Sequence, residues 1–296
     1  MASDRDSVCA VVLTYDRRQL LANCLEALGR QTRPPDEVLV VDNASRDGTP
    51  EMLREHFPGV SVLRIEVNEG AAAGFADGIA KAHALGHRWL WLLDDDCDPD
   101  PDALDALVGG AARAPVVPGV PAPCLLASRV VWTDGRLHPM NVPWMRWQTP
   151  GEVALGVGEG VVSLRHSTFT SVLLRSDAVD RHGLPPRHFH IWVDDVAYTS
   201  RVLREGRGYL VPESRVVHRT AQPYSAVTES GDRFYYHVRN TLLMVRGGAM
   251  DRDERLVYLY YWAITLIHYL RLHRVRPRAL QTIARGIRDG LRGRPA

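Results

Sequence analysis

The sequence predicts an α/β fold in which a mainly parallel sheet carries flanking helices and is followed by a C-terminal helical segment. Three observations carry this expectation. A short β-branched apolar run followed by apolar residues at helical spacing occurs four times before residue 115, each run ends in polar residues, and beyond Pro223 the patterning is helical only. With 296 residues, 45% hydrophobic and 24% charged, the chain can bury a large core. That composition excludes disorder, collagen-like repetition and a disulfide-stapled miniature.

The elements follow in order. Ser7–Thr14 is a strand, and Arg17–Arg30 places Leu20, Leu21, Cys24, Leu25 and Leu28 on one helical face. Glu37–Asp42 is a second strand and Thr49–Phe57 a helix, with Thr49 suited to cap it and Pro50 to its first turn. Val60–Val67 and Ala71–Leu85, then Arg88–Asp94 and Pro101–Ala114, repeat the alternation. From Pro115 to Gly160 proline and glycine thicken, which predicts an irregular excursion with short strands. Val161–Leu174 is strand-like, Asp194–Glu205 a helix stopped by Gly206, and Tyr209–His218 a strand. Arg233–Val245, Glu254–Leu272 and Arg278–Leu291 complete the chain as helices. Ligands of parallel sheets gather at the carboxyl ends of the strands, so Thr14-Tyr15-Asp16-Arg17, Asp42-Asn43, Asn68-Glu69-Gly70 and Asp94-Asp95-Asp96 should meet at one edge.

The formal net charge of +1 makes no case for a nucleic-acid partner, but its distribution is uneven. Residues 271–296 hold eight arginines against one acid, Asp289, so an acidic body carries a basic tail. Cys9, Cys24, Cys97 and Cys124 form no C-x-x-C pair, which suits free thiols in a reducing compartment, and the N-terminus shows no apolar signal segment. A cytoplasmic location is expected.

Three carboxylates at a strand end repel one another unless a cation sits among them, which makes Asp94–Asp96 a candidate metal site. An acidic first turn for the following helix accounts better for Asp98, Asp100 and Asp102 than for this triplet. An EF-hand fails at Pro99, where that loop needs glycine, and at Asp105, where it needs a bidentate glutamate. A dinucleotide fingerprint fails as well, because Tyr15–Gln19 contains no glycine, although Asp42 resembles the ribose-binding acid of that fold.

Thr14-Tyr15, Val41-Asp42-Asn43-Ala44-Ser45, Asn68-x-Gly70 and Leu93-Asp94-Asp95-Asp96, each after its strand, resemble the nucleotide-sugar-binding half of family-two inverting glycosyltransferases with the GT-A (Rossmann-like) fold. Trp192-Val193-Asp194-Asp195-Val196-x-Tyr198 is similar to that family's acidic motif, Val217-His218 to its late metal histidine, and Tyr235-Tyr236-His237-Val238-Arg239-Asn240 to a segment of bacterial galactofuranosyl- and rhamnosyltransferases. The resemblance implies that Thr14, Tyr15, Arg17, Asp42, Asn68 and Gly70 hold the base and ribose of a UDP- or dTDP-sugar donor, with Asp95 on the ribose or sugar side. It implies that Asp94, Asp96 and His218 bind Mn²⁺ or Mg²⁺, that Asp195 is the general base, and that Trp192, Asp194, His237 and Arg239 line the acceptor site. The acceptor would be a glycan, a lipid-linked glycan or a small molecule. A transferase domain over 1–222 and a helical region over 223–296 are expected.

Two rivals follow from the same residues: a nucleotidyltransferase of sugar activation, which should show a Gly- and Arg-rich loop after the first strand, and a silent carbohydrate- or membrane-binding scaffold. Leu256–Leu270 is apolar and aromatic but short for a bilayer span, and basic residues follow it. It suits either peripheral contact with the inner face of the plasma membrane or a helix packed on the protein.

Overall fold

The alternation expected from the sequence forms β1 (Val8–Thr14), α1 (Arg18–Gly29), β2 (Glu37–Asn43), α2 (Thr49–His56), β3 (Ser61–Ile65), α3 (Ala71–Ala84) and β4 (Trp89–Asp94). The computed structural model describes residues 6–116, 121–147, 149–223, 227–228 and 230–296. Every residue of β1 is buried, as a strand covered by helices on both faces requires. The chain continues through β5 (Cys97–Pro99), α4 (Ala103–Arg113), β6 (Leu125–Val131), β7 (Trp144–Met145), α5 (Pro150–Gly158), β8 (Val162–His166), β9 (Ser171–Arg175) and α6 (Asp177–His182). It ends with α7 (Asp194–Glu205), β10 (Gly208–His218), α8 (Phe234–Arg246), α9 (Arg252–Leu272) and α10 (Pro277–Arg292).

Among the described residues the strands run β3-β2-β1-β4-β9-β6-β10-β8-β7 in one sheet, with β5 paired to β10 beside this path. The pairs from β3 to β4 are parallel and carry two apolar layers, one on each face. The second half differs, because β9 runs antiparallel to both β4 and β6, and β10 runs antiparallel to β5 and β8.

Three local expectations change. Val161–Leu174 is two strands rather than one, and the link 167–170 between them reaches the carboxyl edge. The excursion 115–160 contributes a central strand, β6, and a helix, α5; residues 117–120 and 148 of it lie outside the described residues. Thr49 does not cap α2: Gly48 holds that position at φ 87°, a left-handed backbone that glycine adopts at least cost, while the Thr49 hydroxyl donates to Asp47 Oδ1 at 2.6 Å.

The C-terminal helices are tied to the sheet by a buried ion pair. Arg165 on β8 bonds both carboxylate oxygens of Glu254 in the first turn of α9, and both side chains are 3% exposed. The guanidinium also donates to Ser200 O on α7 and to Ala249 O, each at 2.6 Å. Glu254 Oε2 accepts the Asp251 N–H at 2.9 Å, so one carboxylate neutralises Arg165 and caps α9.

Removing one partner of such a pair strands a buried charge. Glu254→Gln is expected to lower unfolding stability by about 3–5 kcal/mol in urea titrations, and Arg165→Met with Glu254→Leu to recover most of that loss.

Candidate active site at the carboxyl edge of the sheet

Strand register assembles the site. Thr14 lies beside Asp42 and Leu13 beside Asp94, so the ends of β1, β2 and β4 share one level. The antiparallel pairing of β10 with β5 sets His218 opposite Cys97 and so brings a residue 122 positions away beside Asp96. One donor atom from each of Asp94, Asp96 and His218 lies within 4.8 Å of the others. They open on a cleft of about 620 Å³, also lined by Thr14, Tyr15, Arg17, Asn68, Gly70, Asp95, Trp192, Asp194 and Asp195.

Two details test whether these residues suit a cation. Asp96 Oδ1 is buried without a hydrogen-bond partner; His218 Nε2 sits 3.0 Å away, close enough for an ion pair but off the angle of a hydrogen bond. His218 Nδ1 donates to Asn141 Oδ1 at 2.9 Å, and the Asn141 amide donates to the hydroxyls of Thr168 at 3.0 Å and Thr170 at 2.6 Å. The amide is therefore locked with its oxygen toward the imidazole. That leaves Nε2 as the ring atom facing the carboxylates, the atom that would ligate a cation once its proton is released. Two carboxylates and an imidazole form a donor set that fits Mn²⁺ or Mg²⁺.

Electrostatics agree with a site short of positive charge. Burial, with Asp96 adjacent, raises the Asp94 carboxyl to about 6. Burial raises Asp95 to about 6 as well, against the opposing pull of Arg17. For Asp96 burial is outweighed by His218, so its carboxyl lies below the ordinary range, and the same contact lifts His218 despite burial. Arg17 Nη1 bridges Asp95 Oδ1 at 3.1 Å and Asp96 Oδ2 at 2.9 Å, and Thr14 Oγ1 donates to Asp95 Oδ2 at 2.7 Å. Asp95 thus braces β1 and Arg17 with both of its oxygens.

The acidic motif at the start of α7 is delivered by a loop under strain. His190, Trp192 and Val193 have φ of 67°, 66° and 69°, a left-handed region costly for such side chains. Asn240 on α8 holds the loop by donating its amide to the carbonyls of Phe189 and Ile191 at 3.0 Å and Trp192 at 2.8 Å. The loop packs on Gly70 (φ 97°), where a Cβ would lie 2.2 Å from His190 O. The close approach that requires this glycine is therefore made by the protein's own loop. At the motif itself Asp194 is 5% exposed and Asp195 half-buried. Burial, with Asp195 next to it, pushes Asp194 well above the ordinary carboxyl range, and burial raises Asp195 to about 6.

Three expected residues sit elsewhere. Asp42 is fully buried, accepting from Ser45 N at 2.9 Å and from Arg64, and does not line the cleft. Arg239 donates to His188 O and Phe189 O at 2.8 Å, bracing the strained loop rather than facing an acceptor. His237 lines an adjoining cavity of about 390 Å³, separated from the cleft by Met140 and Thr168. Asn43 and Tyr236, which the sequence motifs contain without a role of their own, also line the cleft, and residues that sequence patterning missed are Asn141, Thr168 and Arg233. Asn141 belongs to an irregular segment, HPMNVPW, in which no periodicity marks it.

Removing the orienting amide should weaken cation binding without touching a ligand. Asn141→Leu is expected to lower Mn²⁺ affinity by about 10–100-fold in calorimetric titration with the nucleotide present, leaving the thermal midpoint of the metal-free protein within a few degrees.

Comparison with known proteins agrees with this geometry. The model of Glycosyl transferase family 2 matches residues 9–153. A galactofuranosyltransferase, GlfT1, of Mycolicibacterium smegmatis is 34% identical over 207 residues, 67% of this chain and 66% of the relative; the chain thus spans just under two thirds of that protein's length. An N-acetylglucosaminyl-diphospho-decaprenol L-rhamnosyltransferase of Mycobacterium tuberculosis is 24% identical over 270 residues, 81% of this chain and 84% of the relative. Among solved structures, S. aureus TarS 1-349 in complex with UDP-GlcNAc superposes with a TM-score of 0.66 at 15% identity, covering 97% of this chain and 81% of that one. With the strand-end carboxylates at its carboxyl edge, residues 9–153 form a glycosyl transferase family 2 domain.

Proposed function

We propose that this protein is an inverting glycosyltransferase that moves a galactofuranose- or rhamnose-like sugar from a UDP- or dTDP-linked donor to a hydroxyl of a glycan or lipid-linked glycan. The observation that carries the proposal is that Asp94, Asp96 and His218 open on the same cleft as Asp195. Inverting transfer needs both poles: stabilisation of a departing diphosphate and a carboxylate that takes the proton of the attacking hydroxyl. The sugars named for the two relatives, and the UDP-linked sugar of the TarS complex, support the donor class.

A divalent cation held by Asp94, Asp96 and His218 would supply electrostatic stabilisation of the diphosphate oxygens. The chain's own residues do the rest. Tyr15, 47% exposed at the cleft mouth, offers a face to the base, and Asn68, whose Oδ1 accepts from Asn43 Nδ2 at 3.0 Å, offers its amide N–H to the ribose side. Asp95 keeps Arg17 beside the diphosphate position. Asp195 accepts the acceptor proton; burial, with Asp195 alongside, favours the protonated form of Asp194, which lowers the charge density beside the base.

The apolar face of α9 supports peripheral contact with an anionic membrane. Leu256, Tyr260, Ile264 and Ile267 lie 44–63% exposed, and exposed Arg271, Arg274 and Arg276 follow at its end. No helix among the described residues is long and apolar enough to cross a membrane. By contrast α10 lies along α8 through Ala279, Ile283 and Gly286 while Arg278 pairs with Asp232.

Asp195→Asn is expected to reduce turnover by roughly 10²–10⁴-fold with unchanged donor affinity, whereas Asp194→Asn loses less and mainly in acceptor KM. Because the Asp195 carboxyl sits at about 6, wild-type kcat/KM should fall as pH drops through about 6, the base being lost as it protonates. Equal and small losses in both variants would remove the base assignment.

For the membrane contact, replacing Tyr260, Ile264 and Ile267 by Ser should abolish sedimentation with phosphatidylglycerol vesicles at low salt, while transfer to a water-soluble acceptor stays intact. Undiminished sedimentation would assign these side chains another role.

A further inference from the structure

Behind the cleft lies the second cavity, about 390 Å³ and within the roughly 300–1,000 Å³ range of ligand pockets. Its walls come from parts of the chain far apart in sequence: Trp144 from β7, His166 from the end of β8, His237 from α8, and Tyr258, Tyr261 and Trp262 from α9. The Trp144 ring is 5.2 Å from His166, 5.5 Å from Tyr258 and 5.9 Å from Tyr261, so one indole anchors an aromatic wall. Such a wall alone would suit any apolar body. Two polar atoms narrow the choice. His166 is 6% exposed and its Nε2 has no hydrogen-bond partner, and Trp262 Nε1 is likewise buried and unpaired. An unmade hydrogen bond at a buried group costs about 1–3 kcal/mol, and a cavity that keeps two of them beside aromatic faces is built for a ligand with hydroxyls as well as C–H surfaces. Burial holds the His166 ring down to about 3, so Nε2 offers a hydrogen-bonding atom without a charge, which suits a hydroxyl.

We propose that this cavity is the acceptor subsite and takes a saccharide ring, packed against the Trp144, Tyr258 and Tyr261 rings with its hydroxyls paired to His166 Nε2 and Trp262 Nε1. The inference rests on the transferase reading for its function but not for its chemistry. Position ties it to the reaction. Val196, directly after Asp195 on α7, lines this cavity, Met140 and Thr168 line both spaces, and the Asp195 charge reaches the Tyr258 phenol, raising it further than burial alone. A sugar seated here presents an edge past Thr168 toward Asp195. Tyr261, 54% exposed, stands at the outer side on the apolar face of α9, where the rest of a lipid-linked acceptor would leave.

The test is saturation-transfer NMR with the full chain and n-octyl α-L-rhamnopyranoside or n-octyl β-D-glucopyranoside, probes that carry a sugar ring and an alkyl chain in one molecule. Saturation concentrated on the ring protons, weakened about tenfold in apparent affinity by Trp262→Phe and by Tyr261→Ala, is the expected result. Trp262→Phe keeps an aromatic ring while removing the N–H together with the pyrrole half of the indole, and Tyr261→Ala changes a largely exposed side chain, so neither should unfold the protein. Saturation confined to the octyl chain, absence of ring saturation with both probes, or ring saturation unchanged in both variants would overturn the subsite. UDP binding, measured on the same samples by calorimetry, should be equal in wild type and variants. Its absence from the wild type would count against the donor reading alone, because ring saturation is judged independently.

Discussion

Asp94, Asp95, Asp96, Asp194 and Asp195 crowd one cleft, and the need to keep five carboxylates together governs much of the structure around it. Burial raises four of them, and Arg17 and His218 pair with Asp96. Repulsion of this kind is tolerated where the rigid ends of several elements over-determine each position. Here β1, β4, β10 and α7 each hold one part by backbone pairing or packing, and no loop alone carries the cluster. The arrangement is poised for a divalent cation, whose arrival would relieve the charge that folding has gathered.

Neutral amides complete what the charges cannot. Asn141 orients the imidazole ring of His218, and Asn240 fixes the strained turn before Asp194. Both act without adding charge, so they orient their targets and leave the balance of the cleft unchanged. The Gly70–His190 contact then couples the turn after β3 to the loop that bears Trp192, with Ala72 N donating to His190 O at 3.1 Å. The turn after β3 and the loop before α7 consequently form one packed wall of the cleft.

The C-terminal helices belong to this machinery. Arg165 and Glu254 clamp α9 to the sheet, and α9 in turn supplies Tyr258, Tyr261 and Trp262 to the second cavity while turning Leu256, Tyr260 and Ile264 outward. A helix that is apolar around its whole circumference usually lies in a core. This one buries only Glu254 and Tyr269 fully, and its remaining apolar surface divides between the cavity and the exterior.

The sequence by itself determined the β-α alternation, the strand-end positions of Thr14, Asn68 and Asp94–Asp96, and the start of α7 at Asp194, because these depend on period, propensity and neighbouring residue types. Only the tertiary structure decided the rest. Whether Val161–Leu174 is one strand or two, whether Leu125–Val131 is an irregular piece or a central strand, and whether Asp42 faces ligand or Arg64 depend on partners tens of residues away. Asn141 bears no local mark at all, since its role exists only once β10 has brought His218 beside it. The aromatic residues of α9 were visible as a run, but an apolar run reads alike as core, membrane face or ligand wall; the choice rests on which neighbours pack against each side, and that is fixed by a buried ion pair between residues 165 and 254.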